Sequence, residues 1–131
     1  MRILALDYGT ARIGCALSDP SGTLVRPLEV IEPADPAAAA ALAEQHGAQL
    51  VLVGLPLTPA GEEGAQAVLS REFAAELERR LEVPVETYDE RLTTKMAAAS
   101  RREGAGAAED SLAAAHLLEG YLAAAPRREG G

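Results

Sequence analysis

The chain has 131 residues, 48% of them hydrophobic, and this length suits one compact domain, so we expect a single domain over residues 1–124 and a flexible tail over 125–131. One cysteine excludes an internal disulfide and a multi-cysteine zinc site, and a formal net charge of −8 argues against broad attraction to a polyanion. No apolar run of about 18 residues and no signal peptide is visible, which argues against a membrane partner and favours a cytoplasmic protein.

The first three predicted elements are strands. Residues 3–6 form an apolar run that ends at Asp7, residues 13–19 return after a glycine turn, and residues 25–31 follow a second turn. We interpret Asp19, at the end of the second strand, as a turn former. An acid at the end of a buried strand loses hydration unless a cationic group compensates it, so Asp7 needs a partner such as a metal ion.

Helices and strands alternate over the rest of the chain. A helix that precedes a continuously apolar strand is typical of a crossover between parallel strands. The pattern therefore predicts an α/β fold, with a mixed five-stranded sheet and helices on both faces. The remaining predicted elements are a helix from the Asp35-Pro36 start to His46, a strand over 50–54, a helix over 65–81, a strand over 83–88, a helix from Thr93 or Thr94 to about Arg102, and a helix over 109–124.

Acidic residues follow two of the predicted strands and begin the last helix. Asp7 follows the first strand, Asp89 and Glu90 follow the last strand, and Asp110 lies in the first turn of the closing helix. Ligands of such sheets collect beyond the carboxyl ends of parallel strands, so these side chains can converge. Carboxylates suit Mg²⁺ or Mn²⁺, and two such ions about 4 Å apart can activate a water and stabilise the leaving oxygen of a phosphodiester. The arrangement fits nuclease chemistry.

Three of these acids also have a simpler interpretation. Asp110 can be an acid that the helix macrodipole favours near a helix N-terminus. Asp89 can be a turn residue, and Glu90 can pair with Arg91 or Lys95 on a solvated loop. The residue types alone leave both sets of interpretations open.

Four segments of the chain resemble the motifs of the YqgF/RuvX family. They are Leu-Asp-Tyr-Gly-Thr-Ala-Arg-Ile-Gly at 6–14, Val-Gly-Leu-Pro-Leu at 53–57 with the glycines that follow it, Asp-Glu-Arg-Leu-Thr-Thr at 89–94, and the closing helix from Asp110. The four motifs occur in order and cover nearly the whole chain. The resemblance implies an RNase H-like fold, related to the RuvC Holliday-junction resolvases, and a nuclease that matures the 16S ribosomal RNA precursor, with junction-resolving activity also proposed.

The resemblance also implies roles for individual residues. The acids that match Asp7, Glu90 and Asp110 are the expected catalytic and metal-binding residues, with Mg²⁺ or Mn²⁺ as cofactor. Asp89 either joins the metal shell or fixes the turn. The implied partner is nucleic acid, either pre-16S rRNA or branched DNA, and a resolvase that acts symmetrically on a junction suggests a homodimer. The residues implied to contact phosphate or to hold the acidic loop are Arg12, Arg91, Thr93 and Lys95.

The chain departs from the family pattern in two places. Residues 103–109 lack the basic side chains that commonly precede the closing-helix aspartate, so we expect weaker backbone affinity and a greater dependence on the metal. The loop at 58–63 is acidic, where a phosphate-facing loop is expected to be neutral.

Two other functions are compatible with parts of the sequence. The Asp-Tyr-Gly-Thr turn at 7–10 also resembles the phosphate-binding turn of sugar kinases and actin-like ATPases, but those proteins close two domains over a nucleotide and this chain has length for one. The other alternative is a non-catalytic RNA-binding ribosome-assembly factor on the same fold, which the sequence does not distinguish from a nuclease.

Overall fold

A computed structural model describes residues 1–93 and 107–124 of the chain, with the side chains of 92, 93 and 107–110 outside that description. The described elements follow the predicted order, whereas the helix predicted to reach Arg102 and the tail at 125–131 lie outside the described residues. None of the described helices has the length and apolar character needed to cross a membrane. The elements are β1 (Ile3–Tyr8), β2 (Ile13–Ser18), β3 (Val25–Ile31), α1 (Pro36–Gln45), β4 (Leu50–Leu55), α2 (Ala65–Arg80), β5 (Val85–Asp89), a 3₁₀ turn (Glu90–Thr93) and α3 (Ala107–Ala124).

The five strands form one mixed sheet in the order β3-β2-β1-β4-β5. β1, β2 and β3 pair antiparallel because short turns connect them, and the β2–β3 ladder contains a bulge. β4 pairs parallel with β1, and β5 pairs parallel with β4, because α1 and α2 provide the crossovers. The prediction of a mixed five-stranded sheet is confirmed.

The sheet is covered by helices on both faces, and the alternation of side chains along β1 separates the two cores. Leu4 and Leu6 belong to one buried cluster with Phe73 of α2. Ala5 faces the opposite way and belongs to a second cluster with Leu118 of α3. Successive residues of a strand point to opposite faces, so each position of β1 can be assigned to the α1–α2 face or to the α3 face.

Local signals define the ends of α1. The Asp35 carboxylate accepts a hydrogen bond from the N–H of Ala37 at 3.0 Å, and Pro36 occupies the first helical position, where no N–H is needed. Gly47 follows the helix with φ of 65°, a backbone conformation that favours glycine. The predicted start and end of this helix are therefore confirmed.

Asp19 organises the turn between β2 and β3. Its Oδ1 accepts hydrogen bonds from the N–H groups of Thr23 at 2.8 Å and Leu24 at 3.0 Å, and the Ser21 hydroxyl donates to Oδ2 at 2.8 Å. These hydrogen bonds, that from the Leu24 N–H most of all, lower the pKa of Asp19 from 3.8 to about 2. The interpretation of Asp19 as a turn former is confirmed.

Substitution of Asp19 by Asn should remove a pH-dependent contribution to stability. The folded-state pKa lies below the unfolded value, so ionised Asp19 stabilises the fold above about pH 4, and this contribution is lost as the pH falls towards about 2. We expect Asp19→Asn to be less stable than the wild type near neutral pH and the difference to shrink in acid. Urea unfolding of both proteins, from neutral pH down to about pH 2, measures this difference in the free energy of unfolding. A difference that does not vary with pH would contradict the role assigned to Asp19.

Candidate metal centre

Asp7 lies at the carboxyl end of β1, between two glycines of the neighbouring strands. It is half-buried and shares the α3 face of the sheet with Ala5, two residues earlier in the strand. On one side it pairs with Gly14 of β2. On the other side the parallel register of β1 and β4, continued by one residue, brings it beside Gly54. Glycines on both sides leave space around the Asp7 carboxylate.

The Glu90 side chain covers Gly54, a residue of the neighbouring strand β4. It is the first residue after β5, and a Cβ atom built on Gly54 would be 2.5 Å from Glu90 Oε2 and 3.0 Å from its Cγ. Leu52, two residues earlier in β4, belongs to the α3-side cluster, so the missing Cβ of Gly54 would point to the α3 face. Glu90 and Asp7 therefore lie on one face of the sheet, at the ends of β5 and β1, the two strands that flank β4.

The Asp89 carboxylate forms hydrogen bonds and a salt bridge with Arg91. The Arg91 Nε lies 3.0 Å from Oδ2 and 3.1 Å from Oδ1 of Asp89, Nη2 lies 2.7 Å from Oδ2, and the Arg91 N–H donates to Oδ1 at 2.9 Å. The guanidinium hydrogen bonds lower the pKa of the Asp89 carboxyl, and the same hydrogen bonds raise the pKa of Arg91. The pair closes a tight turn around Glu90, and both oxygens of Asp89 accept hydrogen bonds within it.

Arg91 also contacts the acidic loop between β4 and α2. Its Nη1 donates to the carbonyl oxygen of Pro59 at 3.1 Å. The loop closes on itself through a hydrogen bond from the Gly61 N–H to the Thr58 carbonyl oxygen at 2.8 Å, and Gly61 has φ of 87°. A Cβ on Gly61 would lie 3.4 Å from Arg91 Nη1. Arg91 thus joins the acidic loop to the segment that carries Glu90.

A cavity of about 250 Å³ opens beside Asp7. It is lined by residues 7–12, which are the last two residues of β1 and the turn that leads to β2. The Gly9 N–H donates to the Arg12 carbonyl oxygen at 3.0 Å, and the Arg12 guanidinium lies 3.9 Å from Glu32. The Arg12 side chain is 35% exposed, so its charge can reach a ligand in this cavity.

The end of β1 packs against α2. The Tyr8 ring stacks on the Phe73 ring at a centroid distance of 4.5 Å, and Gln66 Nε2 donates to the Tyr8 carbonyl oxygen at 3.1 Å. α2 thereby supports the backbone next to Asp7. The sequence alone does not indicate this role of Gln66, because only the fold brings α2 against the end of β1.

The other predicted site residues are described in part or not at all. Asp110 is the fourth residue of α3, and Thr93 ends the 3₁₀ turn, but their side chains lie outside the described residues, as does Lys95 altogether. Among the side chains that the structure describes, no group of three His, Cys, Asp or Glu residues converges. The predicted site is therefore described for Asp7 and Glu90, and the side chain of the third acid is not included.

Gly54→Ala should displace Glu90 while the chain stays folded. The three nearest atoms to the new Cβ all belong to the Glu90 side chain, which must leave its rotamer at a cost of about 1 kcal/mol. In a Glu90→Ala background, Gly54→Ala should change the free energy of unfolding very little. Urea unfolding of the wild type, the two single variants and the double variant measures this coupling. Gly64→Ala, whose Cβ would meet nothing within 4 Å, is the control for the coupling; it replaces the N-cap residue of α2, so its own cost should be the same with and without Glu90→Ala. Additive effects of Gly54→Ala and Glu90→Ala would contradict the contact.

Sequence comparison finds relatives that extend over most of the chain. A family model described as RuvX, Holliday junction resolvase, matches residues 1–124. A relative from Anaeromyxobacter sp. (strain Fw109-5) is 46% identical over 132 residues, which is 93% of this chain and 96% of the relative. A relative from Koribacter versatilis is 39% identical, over 92% of this chain and 86% of the relative. Both are named as candidate pre-16S rRNA nucleases.

Two Holliday-junction resolvases of known structure have a similar fold. Thermus thermophilus RuvC in complex with a Holliday junction has a TM-score of 0.60 at 16% identity, over 92% of this chain and 94% of that one. Fowlpox virus resolvase in complex with a Holliday junction has a TM-score of 0.59 at 11% identity, over 94% of this chain and 97% of that one. At these identities the likeness concerns the fold, and it confirms the expected RNase H-like architecture. With the family model matching residues 1–124, the chain belongs to the RuvX family.

Proposed function

We propose that this protein is a divalent-metal-dependent nuclease that hydrolyses phosphodiester bonds, with Asp7, Glu90 and Asp110 as the metal-binding and catalytic residues. The observation that carries the proposal is the position of Glu90 across Gly54, beside the end of β1 that bears Asp7. Membership of the RuvX family and the names of the relatives support the same activity.

The donor set fits Mg²⁺ or Mn²⁺. Two half-buried carboxylates near one another repel, and a hard divalent cation that takes oxygen ligands offsets this repulsion. Gly54 supports the fit because the absence of a Cβ leaves the space that the Glu90 carboxylate occupies. Bound divalent cations supply activation of the attacking water and stabilisation of the leaving oxygen. Asp7 and Glu90 would hold the cation, and Asp110 would complete the site.

The basic residues of the site divide into two roles. Arg12 lines the cavity next to Asp7 and is partly exposed, so we propose that it binds a phosphate of the substrate. Arg91 donates to Asp89 and to the Pro59 carbonyl oxygen, so we assign it to holding the Glu90 turn and the acidic loop. The same bonds favour Asp89 as a residue that fixes the turn rather than as a metal ligand. Thr93 and Lys95 remain candidates for phosphate contacts from their positions in the sequence.

The substrate that we propose is precursor 16S rRNA. This follows the names of the relatives, whereas the resolvases that share the fold are bound to four-way DNA junctions. The net charge of −8 disfavours binding by long-range attraction, so binding should depend on local contacts through the metal and Arg12. Cleavage assays on the precursor RNA and on a four-way junction, in Mn²⁺ and in chelator, distinguish the two substrates. Size-exclusion chromatography with and without the junction tests for the homodimer that symmetric resolution requires.

Asp7→Asn should lower metal-dependent cleavage by at least about a hundredfold while the protein stays folded, because the substitution keeps the size of the side chain and removes its charge. Its circular dichroism spectrum should match that of the wild type, which shows that the loss of cleavage does not come from unfolding. Asp35→Asn makes the same chemical change at the α1 cap, where Asn caps equally well, and should cleave as the wild type does.

Glu90→Gln should give the same loss of cleavage, and Glu86→Gln on β5 is its matched control. Full activity of either site variant would contradict the assignment of that residue. Tight RNA binding by the wild type with no cleavage in Mg²⁺ or Mn²⁺ would instead favour an RNA-binding assembly factor.

A further inference from the structure

The N-terminal half of α3 lies on the sheet through small side chains. Ala114 and Ala115 form a buried cluster with Ala16 of β2. Methyl groups permit a close approach but interdigitate little, so this packing resists sliding of the helix along its axis only weakly. Directional contacts must therefore contribute to the position of this end of α3.

Ser111 provides such a contact. Its side chain is buried, with 3% exposed, and its hydroxyl donates to the Leu28 carbonyl oxygen at 2.6 Å and accepts from the Cys15 N–H at 3.4 Å. Cys15 and Leu28 are cross-strand partners in the β2–β3 ladder. One hydroxyl therefore ties α3 to two strands at once.

The strand residues that Ser111 contacts lie beside a bulge in the β2–β3 ladder. The β2–β3 register shifts between Ile13 and Cys15, so that Gly14 stands opposite two residues of β3. On its other side Gly14 pairs with Asp7. Ser111 is therefore bonded to the strand residue adjacent to the one that pairs with Asp7.

We propose that Ser111 is a positioning residue of the metal site. Its two hydrogen bonds fix the beginning of α3 against the sheet at the level of Asp7, and they thereby set where the preceding residue, Asp110, stands in relation to that strand end. The inference rests on the proposed function, since it requires Asp110 to serve as a metal ligand. Loss of the hydroxyl should weaken metal binding without contact between Ser111 and the metal.

The chain offers a matched control in Ser70. It is a second helical serine with 1% exposed, it lies on α2 at the other face of the sheet, and its hydroxyl has no hydrogen-bond partner among the described residues. Ser70→Ala removes the same atom from an equally buried site. A general effect of deleting a buried hydroxyl would appear in both variants, whereas a positioning effect would appear only in Ser111→Ala.

The experiment measures Mn²⁺ binding by titration calorimetry and amide hydrogen exchange of metal-free protein at 107–114. We expect Ser111→Ala to raise the Kd for Mn²⁺ about tenfold and to increase exchange in this segment. Cleavage by Ser111→Ala should approach the wild-type rate at saturating Mn²⁺. Ser111→Thr, which keeps the hydroxyl, should restore the affinity, and Ser70→Ala should match the wild type in both measurements. If Ser111→Ala does not fold, Ser111→Cys keeps the volume with a much weaker hydrogen-bonding group.

The outcomes separate this inference from the function on which it rests. If the wild type binds Mn²⁺ and Asp7→Asn does not, but folded Ser111→Ala retains the wild-type Kd, the positioning role is wrong and the metal site stands. Equal weakening in Ser70→Ala and Ser111→Ala would also overturn it. If the wild type binds no Mn²⁺, or Asp7→Asn binds it unchanged, the proposed function itself fails and the positioning role fails with it.

Discussion

The candidate site depends on one steric condition. Gly54, the β4 residue that Glu90 covers, has no side chain. Glu90 occupies the volume that a Cβ of Gly54 would fill, and this brings its carboxylate over the carboxyl end of β4, the strand next to the one that bears Asp7. Gly14 on the other flank of Asp7 extends the same opening. Glycines on the two strands that flank β1 thus leave space around the Asp7 carboxylate that larger side chains would have filled.

Contacts away from the carboxylates hold this arrangement. The Asp89–Arg91 pair determines how the chain turns after β5, and it is anchored in turn to the acidic loop through Pro59. Ser111 ties α3 to the β2–β3 ladder. In the proposed metal site Asp7 and Glu90 would repel one another, and these contacts would hold the segments that carry them in place.

Local signals were sufficient to predict most of the fold, since capping residues and apolar runs determine where α1 and the central strands begin and end. The sequence also singled out Asp7 as an acid at the end of a buried strand, whereas Glu90 was chosen over Asp89 only through the resemblance to the family. It did not indicate which acid Arg91 would bind, since an arginine side chain reaches several neighbours. The roles of Gly54 and Ser111 depend on residues distant in the chain, so no local pattern could identify them. A glycine at the end of an apolar strand was the available signal for Gly54.

The outer strand β3 has a consequence for self-association. It forms one margin of the sheet, and it combines the bulge opposite Gly14 with exposed Arg26, Pro27 and Glu29. Proline offers no N–H to an incoming strand, charges oppose its desolvation, and a bulge interrupts a regular hydrogen-bonding edge. Continuation of the sheet into a second molecule is therefore disfavoured along β3, so two copies brought to one four-way junction would have to meet through other surfaces.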